Sequence, residues 1–190
     1  MKKAVSIILT VVCMFNLLSL NAFAINDEGI NEEPIQLSMA NVTEEKTDEG
    51  YFVSCDLIQE TSDNTRAIGW IAVGYAKFKL ELLPSNGVGY VSWQINLTNG
   101  DIIKRVRATF VVEKNTLLFD PNIAKIKVDN VYNPAEYTVS KTDQHSFSVD
   151  EKDLPSDQKI RFKWSGVTIT GAKQGYSVEN NNVTGTVADF

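Results

Sequence analysis

Histidine occurs once and cysteine twice in this chain, and both scarcities exclude chemistry. A zinc site takes three or four Cys, His or carboxylate ligands, and Cys55 with His145 falls short of that without acidic help. No glycine-rich phosphate loop is present. A Ser-His-Asp constellation can be written only with Asp143, His145 and Ser146. These neighbours are expected on a hairpin, where their side chains diverge, and no nucleophile elbow accompanies them. His145 is read as an exposed turn residue. Beyond residue 50 there is also no convincing amphipathic helix.

What is present begins with an export leader. Met1, Lys2 and Lys3 form a cationic start, and an apolar run from Ala4 to Leu20 is broken only by Ser6, Thr10, Asn16 and Ser19. Ala22-Phe23-Ala24 then supplies the small-x-small pattern of a cleavage site. A membrane anchor would need about 20 apolar residues and a charged stop; here the run is shorter and acidic residues follow. Residues 1–24 are therefore read as a signal peptide, bacterial in style, with no transmembrane segment left after cleavage. Val12 before Cys13 argues against lipidation there. Cleavage leaves Cys55 as the single thiol, so no internal disulfide forms and the core alone must hold the fold. Cys55 alternates with Val53 and Leu57 and reads as a small buried hydrophobe, the alternatives being a nucleophile or a bridge between chains.

Charge is unevenly spread. Of the 24 acidic residues, eight lie between Ile25 and Gly50 against Lys46 alone, and the remaining sixteen face fifteen basic residues from Tyr51 onward. Concentrated like charge predicts a disordered acidic linker over 25–49, although Ile35, Leu37 and Met39 could dock as an edge strand. The net charge of −6 argues against nucleic acid as a partner.

Residues 50–190 read as one all-β domain. Two Asn-Gly dipeptides, each suited to a two-residue type I′ turn, predict a meander over 67–83, 88–98 and 101–113. With Asn86-Gly87 as a loop, Val91 meets Leu82, Trp93 meets Leu80 and Ile95 meets Phe78. With Asn99-Gly100 as a loop, Leu97 meets Ile102, Trp93 meets Val106 and Val91 meets Ala108. Both turns set the same face of 88–98 inward. Further strands are expected at 51–58, 124–131, 135–141, 145–150, 159–164, 166–170 and within 175–187, with Thr142-Asp143-Gln144 as a three-residue loop. Eight to ten strands predict an antiparallel two-sheet sandwich, immunoglobulin-like or jelly-roll-like.

Leu118-Phe119-Asp120-Pro121-Asn122, then Ile126-x-Val128, Glu136-Tyr137-Thr138-Val139 and Phe147-x-Val149, carry a family likeness. Over about 118–165 the chain resembles the bacterial immunoglobulin-like modules of surface adhesins and pilins, and cohesin-like sandwiches. The resemblance implies an extracellular binding or architectural role, and it carries over no functional residue.

The candidate binding surface is the wet face of the meander: Lys77 and Lys79 on one strand, Ser92, Gln94 and Asn96 on the next, Arg105 and Arg107 on the third, with Tyr75 and Tyr90 beside them. Amides and hydroxyls beside aromatic rings suit sugars, and the cations suit anionic glycans or wall polymers. The same cations also serve simply to keep a sheet soluble. Asp150, Glu151, Asp153 and Asp157 form the densest acidic cluster of the domain. They are the candidate calcium ligands, though the spacing matches no EF-hand, and no other cofactor is expected. Glu81 and Glu113 are the glutamates on or beside the meander. The register gives Glu81 no acidic partner, which argues against a glycosidase pair at about 5–9 Å. The expected role is a secreted or cell-surface, non-enzymatic module that binds a glycan, a wall polymer or another surface protein. A small exported enzyme acting on polysaccharide or peptidoglycan is the alternative, and a toxin or effector subunit a third.

Overall fold

The computed structural model of the protein describes residues 33–62, 68–116 and 120–190. The expected signal peptide, Cys13, the first residues of the expected linker, and Leu118 and Phe119 of the family likeness lie outside them. Among the described residues no helix is long and apolar enough to cross a membrane. Ten strands run in chain order: β1 (Ile35–Thr47), β2 (Gly50–Ser62), β3 (Ile68–Leu83), β4 (Val88–Leu97), β5 (Ile103–Lys114), β6 (Asn122–Val131), β7 (Ser140–Ser148), β8 (Lys159–Gly171), β9 (Gly175–Val178) and β10 (Asn181–Thr186).

Successive side chains on a strand point to opposite faces, so alternation sorts them into two rows. The inward rows are those the alternation predicts. β2 buries Val53, Cys55 and Leu57; β3 buries Ala76, Phe78, Leu80 and Leu82. β4 buries Val91, Trp93, Ile95 and Leu97, and β5 buries Val106, Ala108, Phe110 and Val112. Rings meet across the interior, with Phe78 stacked on Trp164 at 4.6 Å and Phe110 on Phe162 at 6.0 Å between centroids.

The architecture corrects the expected two-sheet sandwich. All ten strands belong to one sheet, in the order β6-β5-β8-β9-β1-β2-β3-β4-β7, with β10 alongside β8. The sheet is mixed, because β1 pairs with β9 in parallel through Ile35↔Tyr176 and Leu37↔Val178. It curls until its two ends nearly meet. There Asn130 donates to Asp143, and the Lys141 ammonium sits 4.0 Å over the Tyr132 ring. β1 explains the difference. The segment expected to be a disordered linker is a strand from Ile35 to Thr47, paired with β9 on one edge and β2 on the other, so it joins the two halves. Nor is its apolar end at a sheet edge: Leu37 is fully buried. The charged residues Glu44, Glu45 and Lys46 are accommodated because they sit at the solvated end of β1.

Neither Asn-Gly dipeptide makes the expected turn. A type I′ turn needs positive φ at both central residues, yet only Gly87 (+70°) and Gly100 (+76°) take it; among the described residues Asn41 is the sole non-glycine to do so. At the first turn Leu83 pairs with Val88, and a four-residue connection opens with a 3-10 turn at Pro84–Asn86. Pro84 suits the first position of such a turn because φ is preset and no donor is needed. The register accordingly moves by two: Val91 faces Leu80, Trp93 faces Phe78 and Ile95 faces Ala76. A shift of two preserves the faces, so the inward rows survive the correction.

The second turn closes no hairpin. β4 pairs with β7, and β5 pairs with β6 and β8. Asn99-Gly100 instead anchors the chain as it crosses between the two halves. The Asp101 backbone N–H donates to Asn99 Oδ1 at 3.1 Å, and Asn99 Nδ2 donates to the Tyr176 hydroxyl at 2.8 Å. The expected hairpin around 142–144 is likewise replaced by one uninterrupted strand, β7, preceded by a 3-10 turn at Pro134–Glu136. The segments 159–164 and 166–170 are one strand, β8, with Gly166 at φ +59° near its pairing irregularity with β5.

Cys55 is 3 % exposed, and burial above all pushes its thiol up to about 11. A thiol that stays neutral near pH 7 is a poor nucleophile. Native protein is therefore expected to react with DTNB at least about tenfold more slowly than protein unfolded in urea. Equal rates in the two states would show the residue open to solvent.

Candidate functional site

Because Val53, Cys55 and Leu57 point inward, Phe52, Ser54 and Asp56 must point outward. The same holds for Tyr75, Lys77 and Lys79 between the buried residues of β3. Cross-strand pairing then assembles one outer surface: Lys79 lies beside Phe52 and Ser92, Lys77 beside Ser54 and Gln94, and Tyr75 beside Asp56 and Asn96. Beyond β4 the row continues with Thr142 opposite Gln94 and Ser146 opposite Tyr90. Six of the expected binding residues, Tyr75, Lys77, Lys79, Tyr90, Ser92 and Gln94, therefore share this face.

Two hollows mark it. One of about 190 Å³ is lined by Phe52, Lys77, Lys79, Ser92, Trp93, Gln94 and Thr142. The other, of about 260 Å³, is bordered by Asn41, Thr43, Ser54, Asp56, Tyr75 and Lys77. The Lys77 ammonium lies over the Phe52 ring at 4.1 Å from its centroid and that of Lys79 at 5.3 Å, so both cations draw on the negative face of the ring. Lys79 is also paired with Glu81 at 3.0 Å. Gln94 Nε2 donates to the Tyr75 hydroxyl at 3.5 Å, and Asn41 Nδ2 donates to Asp56 at 2.7 Å. Phe52 is the residue that sequence reasoning missed. The signal was an aromatic ring in the polar phase of 51–58.

Arg105 and Arg107 do not join this face. They stand on β5, separated from β4 by β6 and β7 around the near-closed end, and β6 occupies them. Arg105 grips Asp129 through two bonds of 2.7 Å, with Arg107 at 3.4 Å. Those guanidinium bonds, Arg105 foremost, hold the Asp129 carboxyl below its usual range. The expected cationic quartet required β4 and β5 to be neighbours, and it falls with that pairing.

The acidic loop does not gather into a metal centre. Asp150 accepts from the Lys152 N–H at 3.0 Å and so caps a 3-10 turn, Asp153 pairs with Lys114 at 3.4 Å, and Asp157 faces solvent. Among the described residues no group of three or more His, Cys, Asp or Glu side chains could hold a metal ion. The loop borders a cleft of about 720 Å³, larger than either hollow, together with the Pro84–Gly87 turn and residues 121–123. That cleft has no aromatic ring in its lining, and two of its acids are spent on the turn cap and the lysine pair. It is the less suited of the hollows to hold a sugar ring.

His145 is a mid-strand residue of β7 opposite Val91, not the tip of a turn. Its Nε2 lies 3.2 Å from Asp143 Oδ2, outside hydrogen-bond geometry, while Ser146 points to the other face. No triad results. Glu113, 4 % exposed, lies between Arg161 at 3.2 Å and Lys163 at 2.5 Å. Glu81 is on a different strand with its own lysine. No protein-family model matches this chain, and neither a curated protein nor a solved structure is similar to it.

Proposed function

We propose that this is an exported, non-enzymatic binding module whose ligand is a glycan or wall polymer, held on the outer face of β2, β3, β4 and β7. The observation that carries the reading is the Phe52 ring, with the ammonium groups of Lys77 and Lys79 over it and Ser92, Gln94 and Thr142 bordering it. A sugar ring presents C–H groups on its faces and hydroxyls at its rim. An aromatic floor ringed by donors and acceptors complements both at once. The likeness of 118–165 to surface modules and the export leader agree with such a role. Hydrolysis is the weaker reading, because Glu81 and Glu113 are each neutralised by their own cations.

The test is co-sedimentation with purified peptidoglycan, chitin and cellulose. The wild-type protein is expected to bind at least one of these. Phe52→Ala and Lys77→Ala should each weaken that binding by roughly tenfold or more, as loss of a central aromatic or its cation does at other interfaces. Arg107→Glu, remote from the face, should leave it intact. Circular dichroism checks that the variants fold. Unchanged binding by Phe52→Ala, or binding to none of the polymers, would overturn the reading.

A further inference from the structure

Past Tyr75, the pairing of β2 with β3 slips by one residue: Leu57 faces Gly74, but Ile58 faces Ala72. Val73 is the extra residue, 2 % exposed, and it turns inward like Gly74 beside it. Such a bulge resets the phase of the strand. Without it, Trp70 would follow the inward parity of Ala76 and Phe78. With it, Trp70 emerges beside Glu60 on the same face as Tyr75, Lys77 and Phe52. Trp70 is 55 % exposed and Tyr75 is 40 % exposed. The ribbon here runs past the last β4 partner, Gly74↔Leu97, so Ile71 on its reverse is exposed as well.

We infer that the ligand is an extended, uncharged glycan chain lying along β3 and stacking on Phe52, Tyr75 and Trp70 in turn; this rests on the glycan-binding reading above. Trp70 and Lys79, the residue opposite Phe52, are nine positions apart, one of them absorbed by the bulge. At the rise of a strand this makes the row roughly 27 Å long, a length that several linked sugars fill and one terminal sugar does not. The two hollows adjoin at Lys77, which lines both. Charge selects against a polyanion. Lys77 and Lys79 lie at the Phe52 end, whereas Asp56 and Glu60 stand beside Tyr75 and Trp70. A chain bearing an acid on every unit would gain at one end and be repelled at the other. A neutral chain of hydroxyl and N-acetyl groups meets no such opposition.

Isothermal titration with β-1,4-linked N-acetylglucosamine and glucose oligomers, dimer to octamer, decides the matter. For at least one series the affinity should rise about tenfold or more from dimer to hexamer and then level off. Trp70→Ala should bring the hexamer down to the affinity of the short oligomers while sparing the dimer, whereas Phe52→Ala weakens both. Trp93 and Trp164 are 2 % and 1 % exposed. Trp93 also lines the Phe52 hollow, so the long oligomers should shift tryptophan emission more than the dimer does, and Trp70→Ala should reduce their shift to that of the dimer. Equal affinity for dimer and hexamer, or a wild-type hexamer affinity in Trp70→Ala, overturns the extended ligand and leaves the Phe52 site standing. Failure of every oligomer in both series also overturns it. If the insoluble polymers fail too, the glycan reading itself is lost.

Discussion

Asp101→Ala is expected to destabilise the protein by about 3 kcal/mol or more, since four donors lose one buried carboxylate as an acceptor at once. The side chain is 1 % exposed. Its Oδ1 accepts from the backbone N–H groups of Ile102, Ala172 and Lys173 at 2.8, 2.9 and 3.0 Å, and its Oδ2 accepts from the Tyr176 hydroxyl at 3.1 Å. Charge-assisted bonds of this kind are the strong ones, and here they fasten the crossover after β4 to the loop between β8 and β9. The fit leaves no slack. A Cβ added at Gly171 would stand 2.1 Å from Asp101 Oδ2, so Gly171→Ala should displace the carboxylate and cost a comparable amount. Asp101→Asn keeps one acceptor oxygen and should lose less. Urea denaturation reads all three. An Asp101→Ala midpoint indistinguishable from wild type would mean that the carboxylate is not the anchor described.

The second large effect is expected at Phe78. Its ring stacks on Trp164 at 4.6 Å with 22° between planes and meets Phe110 at 5.9 Å, so one residue of β3 touches rings from both β5 and β8. Phe78→Ala should cost about 3–5 kcal/mol, the range for deleting a buried aromatic and leaving a cavity. Phe78→Leu refills part of the space and should cost roughly half as much or less. Lys77 and Lys79 flank Phe78 in sequence and point the opposite way, so loosening the interior also loosens the outer face. In a folded Phe78→Ala protein, glycan binding should weaken along with stability. Denaturation midpoints within about 0.5 kcal/mol of wild type would show that the ring stack does not tie the two halves.

The faces of the strands were legible in the sequence, and the partners of the strands were not. Facing depends on neighbours two residues apart, and it survives a register error of two, as at Leu80↔Val91. Partnership, read from sequence, rests on which apolar row meets which. β5 offered apolar Ala108 and Val106 to Val91 and Trp93, whereas their actual partners in β7 are His145 and Asp143, which no matching of apolar rows selects, and an Asn-Gly dipeptide beside β4 also favoured β5. Asp101 is the physical reason for the difference, since the bonds to its buried carboxylate commit that turn to the β8–β9 loop. β1 was legible only at Ile35, Leu37 and Met39, as an edge strand that could dock, because Glu44 to Lys46 read as solvated chain. The site divides along the same line. The shared outer face of Tyr75, Lys77, Ser92 and Gln94 follows from alternation within β3 and β4. Arg105 and Arg107 followed from a pairing that does not exist. Trp70 was out of reach, because the bulge that turns it outward leaves no mark in the alternation.

The parallel contact between β1 and β9 also sets an order of events. Met39 donates its backbone N–H to Glu179, 140 residues further along the chain. As the polypeptide is made, the β2–β3–β4 hairpins have both partners early, but β1 waits with one edge vacant until 175–178 emerge. Distant pairings of this kind close slowly, since the intervening loop must be gathered first. A strand held on one side by β2 and on the other by a partner some 140 residues downstream keeps that second edge open for as long as the chain between them is being made.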